Sequence, residues 1–313
     1  MLTDIPLIPF FLAAGLGLQG LRTRSLSPSG ALAAFVVGFT MMAVPLRVFG
    51  VSLIVFYLVG SRATKIGKQL KATLEDGHQE AGYRSAAQVL CNSLSALVAS
   101  ILWSAFFVPN SLASSVLAGA FEPQKSYDFA QWCPLTPPES AAWSRPLLFV
   151  TLGHFACCLG DTLASELGIL SRSPPILITT LKPVPPGTNG GMSVTGTLAS
   201  LGGGLIMGLT VAVSLLVESS ACRVQWVDVL LPLLAWGTAA GGMGSLLDSL
   251  MGATIQRTRY SAATKRILTD ESPAPAVDAE IKVVSGFDIL SNNQVNLLSS
   301  IVTAVTLGVL TKT

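Results

Sequence analysis

Three carboxylates stand inside apolar stretches of this chain: Asp161 and Glu166 in GHFACCLGDTLASELG, and Asp248 in GTAAGGMGSLLDSLMGA. A carboxylate in a membrane-length segment carries a large desolvation cost and is read as functional by default. On a helix, Asp161 and Ser165 share one face, and Thr162 and Glu166 share the adjacent one. Acids so placed suit Mg²⁺, a hard cation commonly bound by one or two carboxylates plus substrate phosphates. The candidate metal set is Asp161 with Glu166 or Asp248. The structural alternative is a carboxylate held by a neighbouring arginine or, for Asp248, a satisfied acid near a helix end.

Downstream, LKPVPPGTNGG supplies the parts of an anion site. Its prolines stiffen the loop and remove donors, while Gly187, Gly190 and Gly191 allow the backbone to approach a ligand. Thr188 and Asn189 add side-chain donors, and Lys182 adds a point charge suited to a phosphate. Ser193 is placed to cap the helix that follows. A glycine-rich turn that enters a helix points free N–H groups outward. The pattern is not a Walker A loop, because the lysine precedes the glycines. An ordinary inter-helix turn is the alternative.

Upstream, Arg84, Gln88 and Asn92 are spaced at i, i+4 and i+8, one helix face as the chain enters the bilayer. They read either as the polar lining of a cavity mouth that receives an acceptor, or as a snorkelling arginine with inter-helix hydrogen bonds. Arg62 and Lys65, the basic residues nearest the bilayer in the loop 61–84, could meet a polyphosphate. Positive-inside topology and anionic lipid account for most of that loop's charge. Asn292, Asn293 and Asn296 open the last apolar run as helix-capping residues or ligand contacts. His78 and His154 do not resemble a metal pair.

The elements that must hold these residues are membrane helices. The chain of 313 residues is 50% hydrophobic and 12% charged, with mean hydropathy +0.62. A soluble domain is roughly 25% charged. Apolar runs cover 4–21, 29–44, 46–61, 86–108, 146–170, 192–217, 227–252 and 292–310. Spanning takes about 17–25 residues, so 29–44 and 46–61 are either tight spans or a re-entrant pair. The expectation is an all-α, polytopic helical membrane protein: one integral-membrane domain over 1–313, with about eight transmembrane or re-entrant helices. The first run reads as a retained helix, since basic residues follow it instead of preceding it. A net charge of +2 gives no argument for nucleic acid.

Basic residues set the sidedness. Alternation from a cytosolic first loop places 14 of the 19 in the cytosol: Arg22, Arg24, Arg62, Lys65, Lys68, Lys71, Arg84, Arg172, Lys182, Arg257, Arg259, Lys265, Arg266 and Lys282. Arg47, Lys125, Arg145, Arg223 and Lys312 remain for the other side. The segment 109–145 becomes a non-cytosolic loop, with 111–120 as a short surface helix. The segment 254–291 becomes a cytosolic loop with an acidic, Pro/Ala-rich mobile insert at 269–280. Cys157-Cys158 reads as helix packing, and the spacings of the five cysteines argue for no particular disulfide.

The stretches GSRATKIGKQLKA, GYRSAAQVLCNS, GDTLASELG, ITTLKPVPPGTNGGMSVTGTLAS, GSLLDSLMGA and FDILSNNQVNLLSS resemble the transmembrane protein 19 family, which includes the plant phytyl-phosphate kinase. A fainter similarity reaches the CTP-dependent polyprenol kinases such as dolichol kinase, although Pro186 stands where those carry an acidic residue. The resemblance implies phosphoryl transfer from CTP or ATP, with Mg²⁺, to an isoprenoid-type lipid monophosphate or alcohol. It also implies a multi-pass location in the endoplasmic reticulum. The expected partners are a bilayer lipid and a nucleotide, with a homodimer left open. Asp161 and Lys182 are the catalytic candidates, and Arg62, Lys65, Ser165 and Gly187–Gly191 the phosphate-binding ones. A carrier or flippase for a phosphorylated lipid or small anion is the alternative from a different class.

Overall fold

The computed structural model describes residues 6–76, 82–117, 125–268, 272 and 280–312. Its first half is built of short apolar helices. α1 (Leu7–Arg22) packs on α2 (Pro28–Met42), which Ser27 caps through the Gly30 amide at 3.0 Å with Pro28 at the first helical position. α3 (Val48–Ala63) runs into α4 (Lys68–Leu74) with a bend of 72° at the break between them. The run 86–108 divides into α5 (Ala86–Cys91) and α6 (Leu94–Phe107), interrupted at Asn92-Ser93. α7 (Leu112–Val116) falls within the expected surface helix.

The second half carries the long helices α8 (Ser144–Gly168), α9 (Val194–Glu218), α11 (Trp226–Thr254) and α12 (Asn292–Leu310), with a short α10 (Ser220–Val224) between α9 and α11. These four are long and apolar enough to cross a membrane, and the bent α3–α4 pair makes a fifth if counted as one span. The expected eight runs are all helical. By length and composition, however, α1, α2 and α6 fall short of a span, so the count of about eight tightens to four or five among the described residues.

α8 is the axis of the bundle, touching α3, α6, α9, α11 and α12. Small residues let the backbones meet, as the glycine face of α11 leads one to expect. A Cβ built on Gly160 would lie 2.7 Å from the Gly241 carbonyl oxygen, and one on Gly203 would lie 2.9 Å from Gly160 Cα. Cys157 and Cys158 are buried free thiols in this core.

Two ends result. At one, Cys133 and Cys222 form a disulfide, Ser219 Oγ donates to the Phe129 carbonyl at 2.9 Å, and the Arg47 amide donates to Glu218 at 2.9 Å. Lys312 stands over the Trp143 ring at 4.9 Å. The segments assigned to the side opposite the cytosol therefore meet at one end. The disulfide joins residues 89 apart, a pairing with no signature in the spacing.

At the other end a small sheet stands over the helix termini. β1 (Glu75–Asp76) runs parallel to β5 (Arg266–Leu268), which is antiparallel to β4 (Thr258–Ser261), which is antiparallel to β6 (Ile281–Ser285). A two-stranded ladder pairs β2 (Ile176–Leu177) with β3 (Gly191–Met192). Strands of two to five residues are too short for a readable alternation, so hydropathy does not announce them. Most of the acidic insert at 269–280 lies outside the described residues, as does His78.

Candidate functional site

The close approach of α8 and α11 sets two carboxylates in one cavity. Asp161 follows Gly160, the residue that meets Gly241, and one turn beyond Gly241 on α11 Ser245 Oγ donates to Asp161 Oδ1 at 3.4 Å. The next turn brings Asp248, close enough for the two charges to act on each other. Ser299 Oγ of α12 donates to Asp248 Oδ2 at 2.9 Å. With its amide nitrogen turned toward that oxygen, Asn296 donates to it at 3.2 Å. Amide orientation follows the hydrogen-bond network, and here only one orientation satisfies it. Neither carboxylate has an ion-pair partner among the described residues. Two like charges in a poorly solvated site repel strongly. Hydroxyls and an amide around two unneutralised carboxylates are the oxygen-rich surroundings that a hard divalent cation takes.

Glu166 does not join them. Its carboxylate pairs with Lys71, which is 2% exposed, and among the described residues no three His, Cys, Asp or Glu side chains cluster as a metal site. Of the two sequence options, the pair that the structure brings together is Asp161 with Asp248. Five positions separate Asp161 and Glu166, more than one helical turn, so their side chains leave α8 in different directions.

The cavity has a volume of about 460 Å³ and is walled by α5, α8, α9, α11, α12, the glycine loop and the edge of β5. Gly187, Thr188, Asn189, Gly190, Gly191 and Ser165 all line it. The loop is less free as a donor set than the pattern suggests. The Thr188 amide bonds Pro185 O at 3.2 Å, Asn189 N bonds Thr258 Oγ1 at 3.2 Å, and Gly191 N bonds Thr188 O at 2.9 Å. Glycine at 190 is required: φ is +77°, and an added Cβ would press on the Ser249 carbonyl and Ala253 of α11. Ser193 caps α9 through the Gly196 amide at 3.1 Å.

Lys182, Arg62 and Lys65 are exposed and absent from the cavity wall. For Lys182 the cause is local: the turn before it bonds Leu177 N to Lys182 O at 2.9 Å and Lys182 N to Thr180 Oγ1 at 3.4 Å, which carries the side chain to the surface. Lys71 enters the cavity in their place, delivered by the bend between α3 and α4. Even spacing of Lys65, Lys68 and Lys71 suggests one helix face, but the break at 64–67 destroys that face.

Arg84, Gln88 and Asn92 come together, though not as one helix stripe. Arg84 precedes the N-cap, Ser85, and is bonded to the Ser25 carbonyl and Ser27 amide, each at 3.0 Å. Gln88 closes a capping box with Ser85. All three residues line both the polar cavity and a neighbouring apolar crevice of about 90 Å³. Ala13, Val37, Met42, Leu53 and Phe56 furnish much of that crevice, and Thr162 of α8 also borders both spaces. Burial lowers the pKa of Arg84 from its ordinary value, opposed by the charges of Glu166 and Tyr57. A guanidinium remains charged through such a shift.

Three further residues of the site are not marked by sequence pattern: Lys71 and Gln256, which line the cavity, and Ser299, which bonds Asp248. Ser299 and Gln256 had no signal, since a serine in an apolar run and a glutamine at a helix end are common. Asn292, Asn293 and Asn296 do reach the cavity.

Residues 11–304 match the model of an integral membrane protein family, DUF92. The chain is 36% identical over 285 residues to the protein named PGR of Arabidopsis thaliana, covering 90% of this chain and 88% of that one. It is 33% identical over 170 residues to an uncharacterized membrane protein of Methanocaldococcus jannaschii, covering 50% of this chain and 65% of the relative. A third relative, an uncharacterized membrane protein of Synechocystis, is 29% identical over 202 residues, covering 64% of this chain and 60% of its own. No solved structure matches significantly. The matches agree with the resemblance carried by the motifs.

Proposed function

The chain belongs to the DUF92 family of integral membrane proteins, and from its cavity we propose a membrane-embedded kinase that phosphorylates an isoprenoid-type lipid monophosphate or alcohol. One observation carries the reading: a polar cavity holding an unneutralised carboxylate pair shares Arg84, Gln88, Asn92 and Thr162 with an apolar crevice. A lipid can thus lay its tail among α1, α2, α3 and α5 while its head enters the polar space. Phosphoryl transfer is mostly positioning and charge neutralisation.

Each part of the wall has work in such a reaction. Asp161 and Asp248 would hold Mg²⁺, with Ser245, Ser299 and Asn296 fixing their rotamers. When bound, Mg²⁺ supplies the positive charge that the transferring phosphates of CTP or ATP need. In this reading Arg84 and Asn92 orient the acceptor's head, and Asp161 orients its attacking oxygen and receives the proton from a hydroxyl. The glycine loop and β5 close the space around the nucleotide and limit access of water. The Cys133–Cys222 disulfide lies at the end away from the cavity, which suits a membrane facing an oxidising lumen, such as the endoplasmic reticulum.

The decisive assay incubates the purified chain with labelled CTP or ATP and a panel of prenyl alcohols and monophosphates. Phosphorylated lipid, formed only with Mg²⁺, is the expected product. Proteoliposomes that move lipid phosphate while consuming no nucleotide would replace the kinase with a carrier.

A further inference from the structure

The cavity wall away from the carboxylate pair is cationic, and none of the machinery above uses all of it. Lys71 is almost completely buried there, its ammonium paired with Glu166 and 3.5 Å from the Ala63 carbonyl. Arg84 lines the same wall, and its guanidinium has one hydrogen bond among the described residues, to Ser61 Oγ at 3.0 Å. A guanidinium offers five N–H donors, so most of them have no partner among the described residues. Its main chain is pinned by the bonds to Ser25 and Ser27, which holds the head in place. Two cations and one carboxylate leave this wall with net positive charge; the other charged residues lining the space are Asp161, Asp248 and Arg257, the last paired with Asp288.

A buried cation paired with a single carboxylate is commonly a structural ion pair. Three features point further. Lys71 lines the polar cavity of about 460 Å³ instead of sitting only among apolar core side chains. Arg84 stands unpaired by any carboxylate oxygen within salt-bridge distance among the described residues. The arginine also borders the apolar crevice, where the head of an amphipathic ligand would lie. We infer that Lys71 and Arg84 form an oxyanion-binding pole of the cavity, with Glu166 as the positioning residue that presents Lys71, and that this pole takes a phosphate group. The inference rests on the kinase reading only for whose phosphate it is.

The test is calorimetric binding of inorganic pyrophosphate to the purified full chain in chelator, so that no metal contributes. Wild type should bind at millimolar concentration or below. Arg84→Gln should weaken binding by at least about tenfold, the size of a lost charge-assisted hydrogen bond. Lys71→Met alone would strand Glu166, so Lys71→Met is combined with Glu166→Leu, which replaces the buried pair by apolar side chains that fold well elsewhere. This double variant should also lose affinity. Glu166→Gln should tighten binding, because it frees the ammonium. Wild type that binds no pyrophosphate, or a folded Arg84→Gln or double variant with wild-type affinity, overturns the pole. Two further titrations assign the source. If Arg84→Gln weakens decyl phosphate and spares Mg²⁺-nucleotide, the pole holds the lipid's phosphate; the reverse assigns it to the nucleotide. Loss of the kinase reading, seen as absent turnover, leaves the metal-free binding result standing.

Discussion

Asp161 and Asp248 face one cavity with hydroxyl and amide neighbours and no cation beside them among the described residues. Removing one charge should therefore have two opposite effects. Asp161→Asn relieves like-charge repulsion, so the metal-free protein should unfold at a temperature equal to or above that of wild type. It should also abolish stabilisation by Mg²⁺, which at a hundredfold excess over Kd is worth about 2.7 kcal/mol. Thermal scans in detergent with and without Mg²⁺ read both. A variant that unfolds earlier in chelator would mean that Asp161 is held by a favourable partner instead. Lys182 gives the contrasting forecast. A lysine acting on transferring phosphates would cost about 10²–10³ in kcat when removed, like other preorganised electrostatic donors. Because Lys182 is exposed and outside the cavity wall, Lys182→Ala should change the barrier by no more than about 0.5 kcal/mol, as a surface substitution does. A large loss of turnover at unchanged stability would return Lys182 to the site.

At the scale of elements, the cavity exists because α8, α9 and α11 touch backbone to backbone. Gly160, next to Asp161, is one of these close contacts, its missing Cβ 2.7 Å from the Gly241 carbonyl and 2.9 Å from Gly241 Cα. Gly160→Ala forces these helices apart and should cost about 1–3 kcal/mol, the usual penalty for overpacking. Gly202 of α9 is the internal control, with nothing within 4 Å of an added Cβ. Gly202→Ala should be neutral or stabilising by up to about 1 kcal/mol through helix propensity. Equal losses at both positions, measured by thermal unfolding, would remove the glycine seam as the reason for the packing.

At the scale of the molecule, the basic residues assigned to the cytosol gather at the cavity end and the other five at the opposite end. By the positive-inside rule the cavity end is expected to face the cytosol. Membrane-impermeant labelling of single cysteines placed at 70–76 and 260–268 should report the cytosolic side, and at 125–140 the other. In the native chain, Cys133 and Cys222 should resist alkylation until a reductant is added, while half-buried Cys91 reacts slowly without one. Free labelling of Cys133 before reduction would break the link between α10 and the loop 125–143, and cytosolic labelling at 125–140 would invert the whole arrangement.

Local physics was legible in the residues alone. Desolvation cost marked Asp161, Glu166 and Asp248 against their apolar surroundings. Hydropathy placed every long helix, proline and glycine marked the loop that lines the cavity, and Ser193 was recognisable as a cap. Pairing was not legible. Asp161 meets Asp248, 87 positions away in the chain, because two glycine faces let α8 and α11 close together. Glu166 meets Lys71 because α3 and α4 bend at 64–67, and Lys182 leaves the site because a tight turn aims it outward. Cys133 finds Cys222 only once the helix ends are assembled. Periodicity and burial cost act over a turn or two of chain. Which faces then meet depends on backbone approach and bends summed over the whole bundle, and that sum exists only in the folded molecule.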